Sequence, residues 1–249
     1  MVKKVKVSKK NAWKGPDEFV STSTRVFEYV LENQKKILKF AAGALVVVLI
    51  FAGWRLYSQR VEKKASEFYY QAIEYYNVDE NTEKPANKEE DRYTLTLGKM
   101  KEIIKEYPQT DIVSRVFLYA GHIQYKMGDF DESIKSYRSF LDKTSTDDPL
   151  RGFALDGLGY AYEAKGDYKN AMIYFRKFLD DKENHLSRMG YFNIGRCHEE
   201  LEEKDEAVEA YRQAVAAYPN SGYSTLARER IKVLQRQMGN KNAELKMKN

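Results

Sequence analysis

Residues 118–141, LYAGHIQYKMGDFDESIKSYRSFL, and residues 156–179, DGLGYAYEAKGDYKNAMIYFRKFL, are two copies of one pattern. In each copy a first apolar-periodic run carries a glycine (Gly121, Gly159). A turn follows, MGDFDES or KGDYKNA, and a second run then holds a small residue (Ser133, Ala171) and an aromatic one (Tyr137, Phe175). Residues 193–219, NIGRCHEELEEKDEAVEAYRQAVAAYP, place Gly195, Ala207 and Tyr211 in the same three columns, with successive spacings of 38 and 36 residues. Three columns that share one spacing mark a helical array. Each unit reads as two amphipathic helices joined by a tight turn, with a glycine ending the first and an aspartate near the cap of the second. The third copy keeps the helices but has Glu202 in place of the turn glycine. The packing logic is close approach: Gly121, Gly159 and Gly195 let paired helices come together, while Tyr137, Phe175 and Tyr211 fill space between neighbouring units.

The array has readable ends. YPNSGYSTLARERIK (residues 218–232) matches YPQTDIVSRVFLYAG (residues 107–121) closely, which sets Lys232 where Gly121 stands. A lysine there prevents a further helix from packing close, so residues 223–237 are expected to form a terminal cap. Upstream, residues 65–108 form a degenerate unit, with Ala72 and Tyr75 for the first helix and Met100, Ile103 and Pro108 for the second. Its second helix is expected over residues 92–107. Residues 77–91, NVDENTEKPANKEED, interrupt it as a solvated loop.

Before the array lies FAAGALVVVLIFAGW, residues 40–54, without a charge. With two apolar residues added on either side it spans about 31 Å as a helix, one hydrocarbon thickness. Lys39 and Arg55 sit at its boundaries, and Trp54 and Tyr57 suit an interface. A buried core helix is the competing reading. A cleaved signal peptide fits poorly, because the preceding charged region is too long and no small-x-small site follows Gly53. No small residues stand four apart in the segment, so it lacks a GxxxG-type dimerisation face. Residues 1–39 hold nine Lys and one Arg against four acids, and the positive-inside rule then places the N-terminus in the cytoplasm. The net charge of +5 is +6 from this arm and −1 from the rest, so the basic balance says nothing of nucleic acid. Residues 1–16 read as a disordered lysine-rich tail. A helix capped by Ser23 or Thr24 then runs through the span to about Tyr76.

The repeated units resemble tetratricopeptide repeats, with Gln124 and His198 where the first-helix aromatic supplied by Tyr162 is usual, and without the terminal proline in two units. YPxS segments recur in bacterial envelope proteins, including outer-membrane assembly lipoproteins and the Tol-associated division coordinator. The basic arm, single span and envelope-type repeats are together similar to the inner-membrane ancillary subunit of the bacterial protein-translocation channel. The resemblance implies an all-α protein, one N-terminal transmembrane helix followed by a tetratricopeptide-repeat α-solenoid with a C-terminal capping helix. The expected organisation is a basic cytoplasmic arm (1–39), transmembrane helix (40–57), stalk and degenerate repeat (58–108), three repeats (109–220), and capping helix with polar tail (221–249).

Chemical signatures are sparse. Cys197 and His198 are adjacent on a helix and point about 100° apart, so they do not converge on one ion, and no CxxC or HxxxH spacing accompanies them. A single cysteine forms no intramolecular disulfide. No phosphate loop, GxSxG elbow or HExxH motif occurs, and no catalytic residue, metal, cofactor, nucleic acid or small-molecule substrate is expected. In tetratricopeptide arrays the first helices line a concave peptide-binding groove. Transferred by register, that groove comprises Arg115, Leu118, His122 and Tyr125, then Phe153, Asp156, Tyr160 and Glu163, then Met189, Phe192, Arg196 and Glu199. The acids argue against a clamp for C-terminal dicarboxylates. Tyr160 and Phe192 are expected to be exposed anchors separable from the fold. The leading reading is a membrane-anchored adaptor with periplasmic repeats, binding secreted or envelope proteins near the translocation channel, its subunits or a periplasmic folding factor. A scaffold for division or outer-membrane assembly and a sensor signalling through the arm are the alternatives.

Overall fold

The structure, a computed structural model, describes the backbone of residues 16–77, 89–179 and 189–248, with side chains from Thr24 to Asn240 within those limits. The basic tail before Pro16 and the heart of the loop, 78–88, lie outside the described residues. All described elements are helical: α1 (Pro16–Tyr76), α2 (Glu89–Glu106), α3 (Ile112–Lys126), α4 (Phe130–Lys143), α5 (Arg151–Ala164), α6 (Tyr168–Leu179), α7 (Gly190–Glu200), α8 (Lys204–Ala217) and α9 (Gly222–Lys248). The contacts divide the chain into two units, residues 1–60 and 61–249.

In the first unit, α1 starts at Pro16, whose fixed φ and missing N–H suit a first helical turn. Ser23 and Thr24, expected as caps, therefore lie inside the helix. Among the described residues one helix is long and apolar enough to cross a membrane, with a mean hydropathy of 2.2 in its most apolar window and none of that window buried. Leu45, Val47, Leu49, Ile50 and Phe51 are all exposed, so the segment is not a core helix.

The second unit stacks α3 with α4, α5 with α6 and α7 with α8, and each pair packs on the next. Turn chemistry sets the pairs. Gly128 and Gly166 have φ of +81° and +75°, the left-handed conformation that ends a helix at low cost. Glu202 holds the same place in the third unit at φ +59°, so the glycine was replaced without changing the turn. The Asp167 carboxylate accepts the Asn170 N–H at 3.2 Å, as a cap should, but Asp129 makes no such side-chain bond.

The three glycine columns are contact points. A Cβ at Gly121 would come within 2.8 Å of the Tyr137 ring, at Gly159 within 2.3 Å of Phe175, and at Gly195 within 2.6 Å of Tyr211. Each ring therefore rests first on its own unit's glycine. Tyr137 also reaches the next unit, where a Cβ at Gly157 would lie 2.4 Å from its ring. Phe140, Phe175, Phe178 and Tyr211 are fully buried, each contributing roughly 2–3 kcal/mol of apolar burial. The unusual Gln124 is buried as well, and its amide pairs with the Ser136 hydroxyl at 2.6 Å.

At the N-terminal end of this unit, Ala65, Tyr69, Met100, Ile103 and Val116 share a core. Ala72, Met100 and Ile103 are buried as the degenerate repeat requires, but Tyr75 is exposed under the Lys99 ammonium, 4.8 Å from its ring. Tyr69 and Tyr76 supply the packing instead, Tyr76 stacked on Tyr93. The spacing from Ala72 to Tyr75, the same as from Gly159 to Tyr162, therefore selects an exposed ring in this unit. Helix α2 starts at Glu89 rather than Arg92, because Glu89, Glu90 and Asp91 in its first turn complement the helix dipole. Glu62 of α1 accepts the backbone N–H groups of Asp111 (2.8 Å) and Ile112 (3.0 Å), capping α3 from a distant element. At the other end α9 buries Ala227 and Leu234 against α8 while Lys232 stays exposed. The helix continues to Lys248, past the expected end at Gln237.

Candidate functional site: a first-helix groove

Helices α3 and α5 present their first-helix faces to one concave bay of about 760 Å³. Seven of the residues placed there by register line it: Arg115, Leu118, His122 and Tyr125 from α3, and Phe153, Asp156 and Tyr160 from α5. Tyr69 from the end of α1, Tyr119, Lys126 and Leu150 complete its walls. Tyr69 stands three residues before Ala72, in the column of Leu118, Asp156 and Phe192, a signal available in the degenerate unit although the expected groove draws on the three regular units alone. Phe153 is 51% exposed within the bay.

The bay grades into a polar strip. Arg196 of α7 donates to both oxygens of Glu163, with Nε to Oε1 at 3.1 Å, and its guanidinium lies 5.8 Å from the Tyr160 ring centre. The Asn193 amide donates to the Tyr160 hydroxyl at 3.0 Å, and the Tyr160 ring meets Phe175 edge-on. Tyr160 is thus half wall and half joint between α5 and α7, not a ring separable from the fold.

In the third group of expected groove residues Arg196 is held by Glu163, and the cap engages the other three, Met189, Phe192 and Glu199. Phe192 is only 9% exposed and packs between Tyr211 and Tyr223, with ring centres 5.3 and 5.7 Å away. The expectation of an exposed Phe192 anchor is therefore corrected. Its column, three residues before each glycine, also holds Leu118, which is buried at 8%. Side chains there point to the floor between helices. The Met189 sulfur accepts the Tyr223 hydroxyl at 2.6 Å. Glu199 accepts from the Arg230 guanidinium and from the Tyr211 hydroxyl at 2.5 Å. Burial pushes the Glu199 carboxyl up, but those hydrogen bonds outweigh it and hold it below its ordinary value. The pair Arg230–Glu199 repeats, one unit later, the contact Arg196–Glu163.

Asp156 occupies the remaining position of the floor column. Its Oδ1 is shut off from water and accepts no hydrogen bond. Burial pushes its carboxyl up to about 7, with Arg196 pulling it down and Glu163 pushing it further up. His122 is held below its ordinary value by burial and by Lys126. Cys197 is fully buried, and burial raises its thiol to about 12, which leaves it protonated and unreactive. Among the described residues no three His, Cys, Asp or Glu side chains gather as metal ligands.

Residues 31–239 match the family described as tetratricopeptide repeat-like domain. The chain belongs to the tetratricopeptide-repeat family. No curated protein matches it by sequence. Among solved structures, a tetratricopeptide repeat protein from Parabacteroides merdae is 13% identical with a TM-score of 0.54, the alignment covering 72% of this chain and 61% of that one. This chain thus spans about three-fifths of that protein's length. A Podospora anserina putative kinesin light chain with nearly identical repeats is 11% identical, also at a TM-score of 0.54, over 74% of this chain and 92% of that one. At these identities the likeness is one of fold. Arrays of this fold present extended concave surfaces suited to binding other proteins.

Proposed function

We propose that the protein is a single-pass adaptor of the bacterial cell envelope, anchored in the inner membrane and binding secreted or envelope proteins beside the translocation channel through the bay between α3 and α5. The observation that carries the reading is the bay itself, a concave surface walled by Tyr125, Phe153 and Tyr160 that no segment among the described residues fills. Aromatic side chains offer large contact area at small entropic cost, which suits apolar segments of extended chains. The anchor rests on residues 40–54, apolar and uncovered within α1. The family match begins at residue 31 and so runs through this segment instead of starting after it. The lysine-rich arm sets the orientation, N-terminus cytoplasmic and repeats periplasmic.

The test is purification of the intact protein from detergent-solubilised membranes, beside the Phe153→Ala variant, with protease accessibility scored in right-side-out spheroplasts. The reading expects digestion beyond residue 60 in spheroplasts, and channel subunits, secreted chains or a folding factor that co-purify with the wild type and are depleted by the substitution. Recovery of division or outer-membrane assembly proteins instead would favour the scaffold. A cytoplasmic regulator held by the arm would favour the sensor, and protease-resistant repeats would reverse the orientation.

A further inference from the structure

Resting on the groove reading above, we infer that the bay between α3 and α5 is a receptor for one lysine or arginine side chain carried between apolar residues of the bound segment, with Asp156 as its counter-charge. The floor column explains why Asp156 is informative. Its counterparts Leu118 and Phe192 are buried apolar side chains that pack between helices, and an apolar residue would serve packing at Asp156 equally well. A carboxyl there is desolvated and its Oδ1 accepts no hydrogen bond, and an unsatisfied buried acceptor is a standing cost. Arg196 offsets part of that cost by pulling the carboxyl toward its charged form, but burial outweighs it. Tyr125 on α3, Tyr137 on α4 and Tyr160 on α5 line the same bay as Asp156, and Glu163 pushes its carboxyl further up. The nearby cation, Arg196 of α7, is already bound by both oxygens of Glu163.

A carboxylate floor beneath ring walls fits a lysine or arginine, whose apolar stem lies along the rings while the head reaches the acid. Arg115, His122 and Lys126 of α3 also line the bay. Two of these are permanent cations, so a segment basic throughout is repelled. The chemistry selected is an isolated cation flanked by apolar residues, the inverse of an acidic tail.

Binding of capped, fluorescein-labelled peptides of sequence Leu-Phe-Xaa-Leu-Phe, with Xaa as Lys, norleucine or Glu, to the intact protein in nanodiscs tests this by anisotropy. With Asp156 held near 7, the acid is neutral below that pH and charged above it, so attraction for a cation grows as pH rises through this value. Arg196 and Glu163 shift that midpoint in opposite directions, and His122, held below its ordinary value by burial and by Lys126, gains positive charge as pH falls, so Asp156→Asn separates the two groups. The Lys peptide should bind about tenfold tighter than the norleucine peptide near pH 8 and within about twofold near pH 5.5, with the Glu peptide weakest at the higher pH. Asp156→Asn should remove the preference. Equal affinities for the Lys and norleucine peptides near pH 8, both weakened by Phe153→Ala, would overturn the inference and leave the groove reading standing. Binding of none of the three peptides would contradict the groove reading and the inference with it.

Discussion

Gly159 and Gly98 are both helical glycines, and the structure gives them opposite meanings. A methyl group on Gly159 would enter the Phe175 ring, which is fully buried and has no room to yield. Nothing lies within 4 Å of a Cβ at Gly98, an exposed position inside α2. Overpacking a tight core contact costs about 1–3 kcal/mol, whereas replacing an exposed mid-helix glycine by alanine gains about 0.5–1 kcal/mol. Gly159→Ala should therefore lower the thermal midpoint and Gly98→Ala raise it, read by circular dichroism on the two variants side by side. A neutral Gly159→Ala would mean that the glycine column is not where the helices meet. Asp156 and Phe192 make the complementary point about polarity. They share a column, yet the ring is stapled into the core by Tyr211 and Tyr223 while the acid is left without a hydrogen bond on one oxygen.

Among the elements, α9 does what a cap must: it covers the last helix pair with Ala227 and Leu234 and engages Glu199 through Arg230. Truncation after Asn220 would uncover Val208, Tyr211 and Ala214, all now buried. Loss of about 3–4 kcal/mol of apolar burial and ion pairing corresponds to a fall of roughly 10 °C in midpoint for a chain of this size, with aggregation on heating. An unchanged melt would assign the cap elsewhere. The repeated helices could be read from sequence because their contacts are periodic: a glycine and the ring that rests on it recur at one spacing, so each column predicts its own partner. What escaped was whatever depends on a neighbour outside the register. Phe192 looked like a groove ring because the cap's Tyr223 is not announced by any column. Tyr75 is expected by its spacing of three from Ala72, as Tyr162 stands to Gly159, and only the fold shows that Tyr69 and Tyr76 take the packing. Glu62 caps α3 across 49 positions of chain, a pairing that local propensity does not reveal. The bay was legible on α3 and α5, where four columns meet and no cap intervenes.

For the whole molecule, the two units carry separable duties. Residues 1–60 hold the basic arm and the uncovered apolar helix, and residues 61–249 hold the array with its bay. The adaptor reading requires that the bay, and not another face of the array, meets other proteins in the membrane environment. Phe153 and Ile173 make a controlled pair, since both are exposed apolar residues, at 51% and 44%, and only Phe153 lines the bay. A photo-reactive phenylalanine analogue placed at each position in turn, irradiated in intact cells and followed by mass spectrometry, addresses the claim most directly. The account predicts cross-links from position 153 to envelope or secreted proteins and few or none from position 173; adducts from position 173 alone would contradict it.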